Sequence, residues 1–275
     1  MDFAYDGKNL ILKNTSCFSL SQTLDCGQAF RWSCDDRGVW SGIVGGRLCR
    51  LSQQDGDITF YDCDERTFKE NYAVYFDINR DYGAIITAIS GNEILKAASD
   101  VAGGIRILKQ EPWETVCSFI ISQNNNIPRI KGIIERLCEN FGEKIEGGFA
   151  FPSAEKIAAL SLEELAVIRS GFRAKYILDA ARKFASGEIS SERLEQLSTD
   201  EARSQLMKIY GVGEKVADCV LLFAFARIDA FPKDVWIKRA MEKLFSGDLP
   251  ECAVPYAGIV QQYIFHFART TKLEV

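Results

Sequence analysis

The feature that most constrains the fold is a change of hydrophobic period near residue 79. Before it, apolar side chains come in short runs rich in branched and aromatic residues: ILKNTSCFSL, RWSCDDRGVWSGIV, RLCRLSQQ and DITFYDC. Turn formers separate these runs (Asp36, Gly38, Gly45, Gly46, Asp55 and Gly56), which is the pattern of hairpins in an antiparallel sheet. After it, apolar residues recur at three and four in DYGAIITAIS, PWETVCSFIISQ, IPRIKGIIERLCENFG, SAEKIAALSLEELAVIRSG, AKYILDAARKFASG, STDEARSQLMKIYG and KVADCVLLFAFA. Side chains change face every residue in a strand but share a face every three or four in a helix, so the two stretches need different elements. Boundary signals agree. Ser153 and Ser161 stand where helix caps are needed, and Gly142, Gly171 and Gly187 stand where helices close. The expected fold is α+β, with an N-terminal antiparallel β-sheet domain over residues 1–100 packed on a mostly helical domain over 101–275. No low-complexity linker divides the two parts, and no internal repeat is visible.

Charge and cysteine usage narrow the function. The 275 residues carry a net charge of −5, which by itself speaks against a nucleic-acid partner. The imbalance lies in residues 1–100, with 10 basic and 15 acidic side chains, whereas residues 101–275 carry 23 of each. Phosphate contacts act within about 8–10 Å, and backbone amides bind anions without adding charge, so a local DNA-binding surface remains open. The nine cysteines are scattered and form no CxxC pair, so no metal–thiolate site is expected. Their odd number and irregular spacing suit a reducing compartment. The opening MDFAYDGKNLILKN has no basic region followed by a long apolar run, so no signal peptide is expected. VLLFAFA at 220–226 is too short to span a bilayer and reads as a buried helix segment. The expectation is a cytoplasmic protein, nucleoid-associated in a prokaryote, working as a monomer away from membranes.

The most informative segment is LMKIYGVGEKVADCVLLF, 206–223, which reads as a helix, a tight turn Gly211-Val212-Gly213 and a second helix. Two glycines two apart allow positive φ and close backbone approach. The free amides at the start of the second helix make an anion site, and on DNA that anion is a phosphate. Lys215 sits in this first turn, where the helix dipole disfavours a cation and a structural lysine is out of place. An uncharged amine there is a nucleophile. Cys219 follows four residues later on the same face. Asp234 comes next, in AFPKDVWIKRA, between Pro232 and the start of a helical pattern. It is placed to cap that helix, and the same carboxylate can stabilise positive charge on a sugar ring.

The hairpin GVGEKVADC followed by Pro-Lys-Asp-Val resembles the helix-hairpin-helix (HhH-GPD) DNA glycosylase superfamily and, within it, the 8-oxoguanine DNA glycosylase family. CGQAFRW (26–32), FIISQNNNIPRI (119–130), GFRAKY (171–176) and PYAGIVQQYIF (255–265) extend the resemblance over most of the chain. It implies a TBP-like β-rich N-terminal domain and a bifunctional enzyme of base excision repair. Lys215 would attack the sugar C1′, expel the base and form a Schiff base that undergoes β-elimination, with Asp234 beside it. The nucleotide must leave the stack for this chemistry. By resemblance, Phe265 and Cys219 face the flipped base, Pro232 lines its pocket and Gln261 reads its Watson–Crick edge. The Gly27 carbonyl would accept the N7 proton that 8-oxoguanine has and guanine lacks. Asn124 would fill the vacated space, Arg129 would reach the orphaned cytosine, and Phe172 would wedge between base pairs. Arg173 is expected on a phosphate, as are the Gly211, Gly213 and Val216 backbone and Trp236. The expected partner is double-stranded DNA with 8-oxoguanine opposite cytosine. No cofactor is required and no side-chain metal site is expected, although hairpin carbonyls offer a place for a cation.

The chain departs from the family pattern in places. Phe172 replaces a frequent Tyr, and Trp236 stands where a phosphate-binding His often follows Asp-Val. Trp can donate one hydrogen bond but carries no charge. The segment between Asp234 and Gln261 is short, and only Cys252 follows Cys219, so the iron–sulphur cluster of some superfamily members cannot form. Two other readings stay open at this level. One is an alkylpurine glycosylase acting through aspartate and water, a class that usually lacks the hairpin lysine. The other is a hairpin module that only binds DNA, which would need neither Lys215 nor Asp234.

Overall fold

The computed structural model describes residues 2–271. Six strands form one antiparallel sheet: β1 Phe3–Tyr5, β2 Leu10–Leu12, β3 Ser33–Cys34, β4 Trp40–Val44, β5 Arg47–Gln54 and β6 Asp57–Tyr61, in the order β1-β2-β6-β5-β4-β3. Register follows the alternation in the sequence. Leu10 pairs with Phe60, Leu12 with Ile58, and Leu51 with Phe60 from the other side, and all of these are buried. A helical stretch over Glu65–Tyr75, with a π-turn at Phe68–Tyr72, covers this face. Phe68, Tyr72 and Phe76 recur every four residues, so all three rings reach Phe60, at 5.2, 5.6 and 5.7 Å. Helix therefore begins before the expected change of period at residue 79. ILKNTSCFSL keeps strand geometry only at its start, because Asn14 turns the chain with φ 51° and Ser19 caps the helical turn Leu20–Leu24.

The helical part is built on nine main helices among the described residues: α1 Tyr82–Ile89, α2 Glu93–Ala102, α3 Pro112–Ser122, α4 Ile127–Phe141, α5 Ala174–Ala185, α6 Thr199–Leu206, α7 Glu214–Phe225, α8 Val235–Phe245 and α9 Ala257–Thr270. A two-stranded hairpin, β7 Lys144–Ile145 and β8 Gly148–Phe149, follows α4. Residues 153–171 are less regular than their periodicity suggests. Ser161 and Glu164 form a capping box that restarts the helix, and Arg169, at φ 57°, ends it before Gly171. Helices α1 and α2 bury Tyr82, Ile85, Ile89, Leu95, Ala98 and Ala102 in the helical core. The two cores interleave along the chain, since Cys26 and Phe30 belong to the helical core and Leu108 to that of the sheet.

Arg106 joins the two cores. It is fully buried and donates to the carbonyls of Cys17, Phe76, Asp77, Ile78 and Arg80, with its guanidinium 4.2 Å from the centre of the Tyr82 ring. At the same boundary, Arg31 pairs with Glu114 of α3 at 3.0 Å.

Candidate active site

The hairpin between α6 and α7 is fixed from three sides. Gly211 has φ +80°, and a Cβ there would lie 2.6 Å from the Tyr176 ring, so both conformation and space require glycine. The Tyr210 amide donates to the Asp179 carboxylate at 2.7 Å, tying the turn to α5. Arg203 on α6 pairs with Asp218 on α7 at 2.6 Å, while burial raises the Asp218 carboxyl above its ordinary value. Gly213 stands at the α7 N-cap, exposed and without a side-chain cap, so the first amides of α7 are left for another partner. Val216 is buried, and only its backbone can contribute there.

Lys215 and Asp234 open onto one cavity of about 60 Å³. Lys215, in the first turn of α7, has its Nζ 5.4 Å from the centre of the Phe119 ring. Cys219 lies one turn further along. Its thiol is pushed up to about 11, chiefly by burial, with Lys215 acting the other way. It is therefore a neutral wall at neutral pH rather than a competing nucleophile. Asp234 caps α8, accepting from the Ile237 amide at 2.7 Å, and buried Pro232 fixes the chain just before it.

Helix α9 supplies the opposite wall. Gln261 and Phe265 stand four residues apart, on one helical face, and both line the cavity. The chain before β3 supplies the remaining side through Cys26 and Gly27. Gly27 has φ +89°, and its position is set by its buried neighbour Gln28. The Gln28 side chain donates to the carbonyls of Thr23 at 2.9 Å and Arg106 at 2.8 Å and accepts from the Leu108 amide at 3.0 Å. The structure thus brings Gly27, Lys215, Cys219, Pro232, Asp234, Gln261 and Phe265 into one place from four distant parts of the chain.

A second group lies in an open groove of about 530 Å³, where Arg129 and Phe172 meet Arg169 and Lys175. Phe172 is 51% exposed, and Trp236, beside Asp234, is 53% exposed. Large exposed aromatics next to a cavity are what a partner-binding surface provides. Asn124 is exposed at φ 47° in the turn between α3 and α4. Arg173, expected on a phosphate, has its guanidinium turned inward here. It is 2% exposed, and its guanidinium donates to the carbonyls of Gln123, Ser170 and Asn124. A buried guanidinium needs acceptors, and the turn carbonyls supply them, so Arg173 shapes the Asn124 turn and the Phe172 loop.

Several lining residues escape sequence reasoning. Phe119 and Phe223 stack at 5.3 Å behind the cavity, and both read as ordinary core positions in uniformly apolar helices. Gln262 also lines the cavity, next to Gln261, although the resemblance of PYAGIVQQYIF assigned it no role. Arg169 and Lys175 join Arg129 only through the irregular path of residues 153–171.

Comparison with known proteins bears on the family and the fold. Residues 10–116 match the model for the 8-oxoguanine DNA glycosylase N-terminal domain, and residues 117–250 match that of the HhH-GPD superfamily of base excision DNA repair proteins. An N-glycosylase/DNA lyase of Saccharomyces cerevisiae is 33% identical over 266 residues, covering 86% of this chain and 70% of the yeast protein. The Clostridium acetobutylicum 8-oxoguanine glycosylase/lyase, solved with double-stranded DNA carrying cytosine opposite 8-oxoguanine, superposes with a TM-score of 0.92 at 35% identity, covering 99% of both chains. A structure of MBOgg1 with a low-affinity DNA ligand has a TM-score of 0.92 at 38% identity over 98% of this chain and 99% of its own. From its paired domains, its hairpin and these relatives, the chain belongs to the 8-oxoguanine DNA glycosylase family of the HhH-GPD superfamily.

Proposed function

We propose that this protein excises 8-oxoguanine from duplex DNA and then cleaves the strand at the abasic site through a covalent lysine intermediate. The observation that carries the proposal is the convergence of Lys215 and Asp234 on one cavity whose walls, Cys219 and Phe265, suit the two faces of a flat base. The Lys215 amine attacks C1′ of the extruded nucleotide, and the bond to the base breaks with its electron pair leaving on the base. Asp234, held by its capping bond, stabilises the positive charge that develops on the sugar. Ring opening gives a Schiff base between Lys215 and C1′. Loss of a C2′ proton and departure of the 3′ phosphate then nick the strand.

Base recognition in this reading uses the Gly27 carbonyl for the N7 proton and Gln261 for the Watson–Crick edge. Gly211, Gly213 and the Val216 amide hold a phosphate at the start of α7, and Trp236 adds one donor nearby. Asn124 fills the space of the extruded base, Phe172 enters the opposite stack and Arg129 contacts cytosine. No step uses a metal. Among the described residues no cluster of three potential side-chain ligands exists, so a cation at the hairpin would be held by backbone carbonyls. All the reacting groups come from one chain, so a monomer suffices. No described helix is long and apolar enough to cross a membrane.

Borohydride trapping on a duplex with one 8-oxoguanine tests the chemistry. A covalent protein–DNA adduct is expected from the wild type, and none from Lys215→Gln. Base release without any adduct from the wild type would instead favour a hydrolytic glycosylase that works through Asp234 and water.

A further inference from the structure

Gln262, which lines the base pocket, carries one buried polar atom that the proposed chemistry leaves idle. Gln262 is 5% exposed and lines the cavity beside Gln261. Its amide nitrogen donates to the Gln261 Oε1 at 2.7 Å. Its own Oε1 is buried and has no hydrogen-bond partner. Buried acceptors are rarely left unpaired, because desolvation is not compensated, and a buried orphan calls for a ligand or a catalytic reason. This hydrogen bond couples the orientations of the two amides, so that neither can turn over alone without losing it. The Gln261 Oε1 keeps one lone pair for the base, and the Gln262 Oε1 stays turned away from its neighbour, able only to accept.

We infer that Gln262 is a second specificity-determining residue, whose Oε1 accepts a hydrogen bond from the exocyclic amine of the flipped purine. The ligand class is an oxidised purine with an amine next to the ring N–H, which 8-oxoguanine has. 8-Oxohypoxanthine differs from it only by lacking that amine, and it leaves the buried oxygen unpaired. A site built to hydrogen-bond one group rejects the analogue without it far more strongly than an apolar site does. This inference rests on the proposed reading of the cavity as a base pocket.

The test is single-turnover release of 8-oxoguanine and of 8-oxohypoxanthine, each opposite cytosine, by the wild type and by Gln262→Met, which keeps side-chain length and removes the amide. Nicking of a preformed abasic duplex by each protein, which needs the Lys215 amine and no base, serves as the reference rate. The wild type is expected to release 8-oxoguanine at least about tenfold faster than 8-oxohypoxanthine, and the Met variant to lower that ratio at least about fivefold. A wild-type ratio near one overturns the inference without recourse to any variant. So does a ratio that Gln262→Met leaves unchanged, and in both cases the base-pocket reading survives. Release of neither base by a wild type that nicks abasic DNA overturns the inference and the base-pocket reading together.

Discussion

Asp234 caps α8 and, in the proposed mechanism, also serves the chemistry, and substitution can part the two roles. Asparagine caps a helix as well as aspartate does, whereas alanine costs about 1 kcal/mol. Asp234→Asn is therefore expected to unfold at the wild-type urea midpoint yet lose base release by about a hundredfold or more, because the charge facing the sugar is gone. Asp234→Ala should lose both. Equal release rates for the wild type and Asp234→Asn would remove the carboxylate from the mechanism. Arg173 gives the reverse case. Its three carbonyl partners predict that Arg173→Ala costs about 2–4 kcal/mol in urea unfolding. A residue on a phosphate would instead change the salt dependence of DNA binding by about one unit of slope, with stability intact. Lys215 and Asp234 were legible in the sequence because their positions at helix starts conflict with, or add to, an ordinary structural role. Arg173 was not, since where a long cationic side chain ends up depends on which carbonyls the fold leaves free. Phe119 and Gln262 were invisible for the same reason: only packing shows that they face a cavity.

At the scale of elements, the hairpin depends on its two glycines unequally. Gly211→Ala is strained by positive φ and meets the Tyr176 ring, so a loss of about 2 kcal/mol or more is expected, with weaker binding to abasic duplex. Gly213 has φ −106° and open space where a Cβ would go, so Gly213→Ala should cost less than about 1 kcal/mol. Matching losses in thermal unfolding would show that the turn geometry is not what holds the hairpin. Helix starts with a clear signal were readable from sequence: Ser153 and Ser161 both stand at N-caps, each accepting a backbone amide, and Ser161 completes a capping box with Glu164. Elements set by partners were not. The segment Glu65–Tyr75 is helical because Phe68, Tyr72 and Phe76 must reach Phe60, a contact that appears only once the sheet exists.

For the whole molecule, the two cores are held by buried charge. Burial raises the Glu114 carboxyl above its ordinary 4.5, although its partner Arg31 pulls the other way. An acid with a raised folded-state value favours folding when protonated, so this site's contribution is full at low pH and shrinks as pH rises above 4.5. Urea midpoints for Glu114→Gln between pH 4.5 and 7 should fall less steeply than those of the wild type. An identical slope would mean that the carboxylate is solvated after all. The cavity is equally a property of the whole chain, since its walls come from the loop before β3, from α3, α7 and α9, and from the segment leading into α8. The cavity is open to solvent on one side, and its resting volume of about 60 Å³ is smaller than a fused-ring purine, so seating a base requires its walls to part, work that the contacts of a bound duplex can supply. Free 8-oxoguanine, which brings no phosphates with it, should be a feeble inhibitor, so the cell's pool of discarded bases would not slow the enzyme's search along DNA.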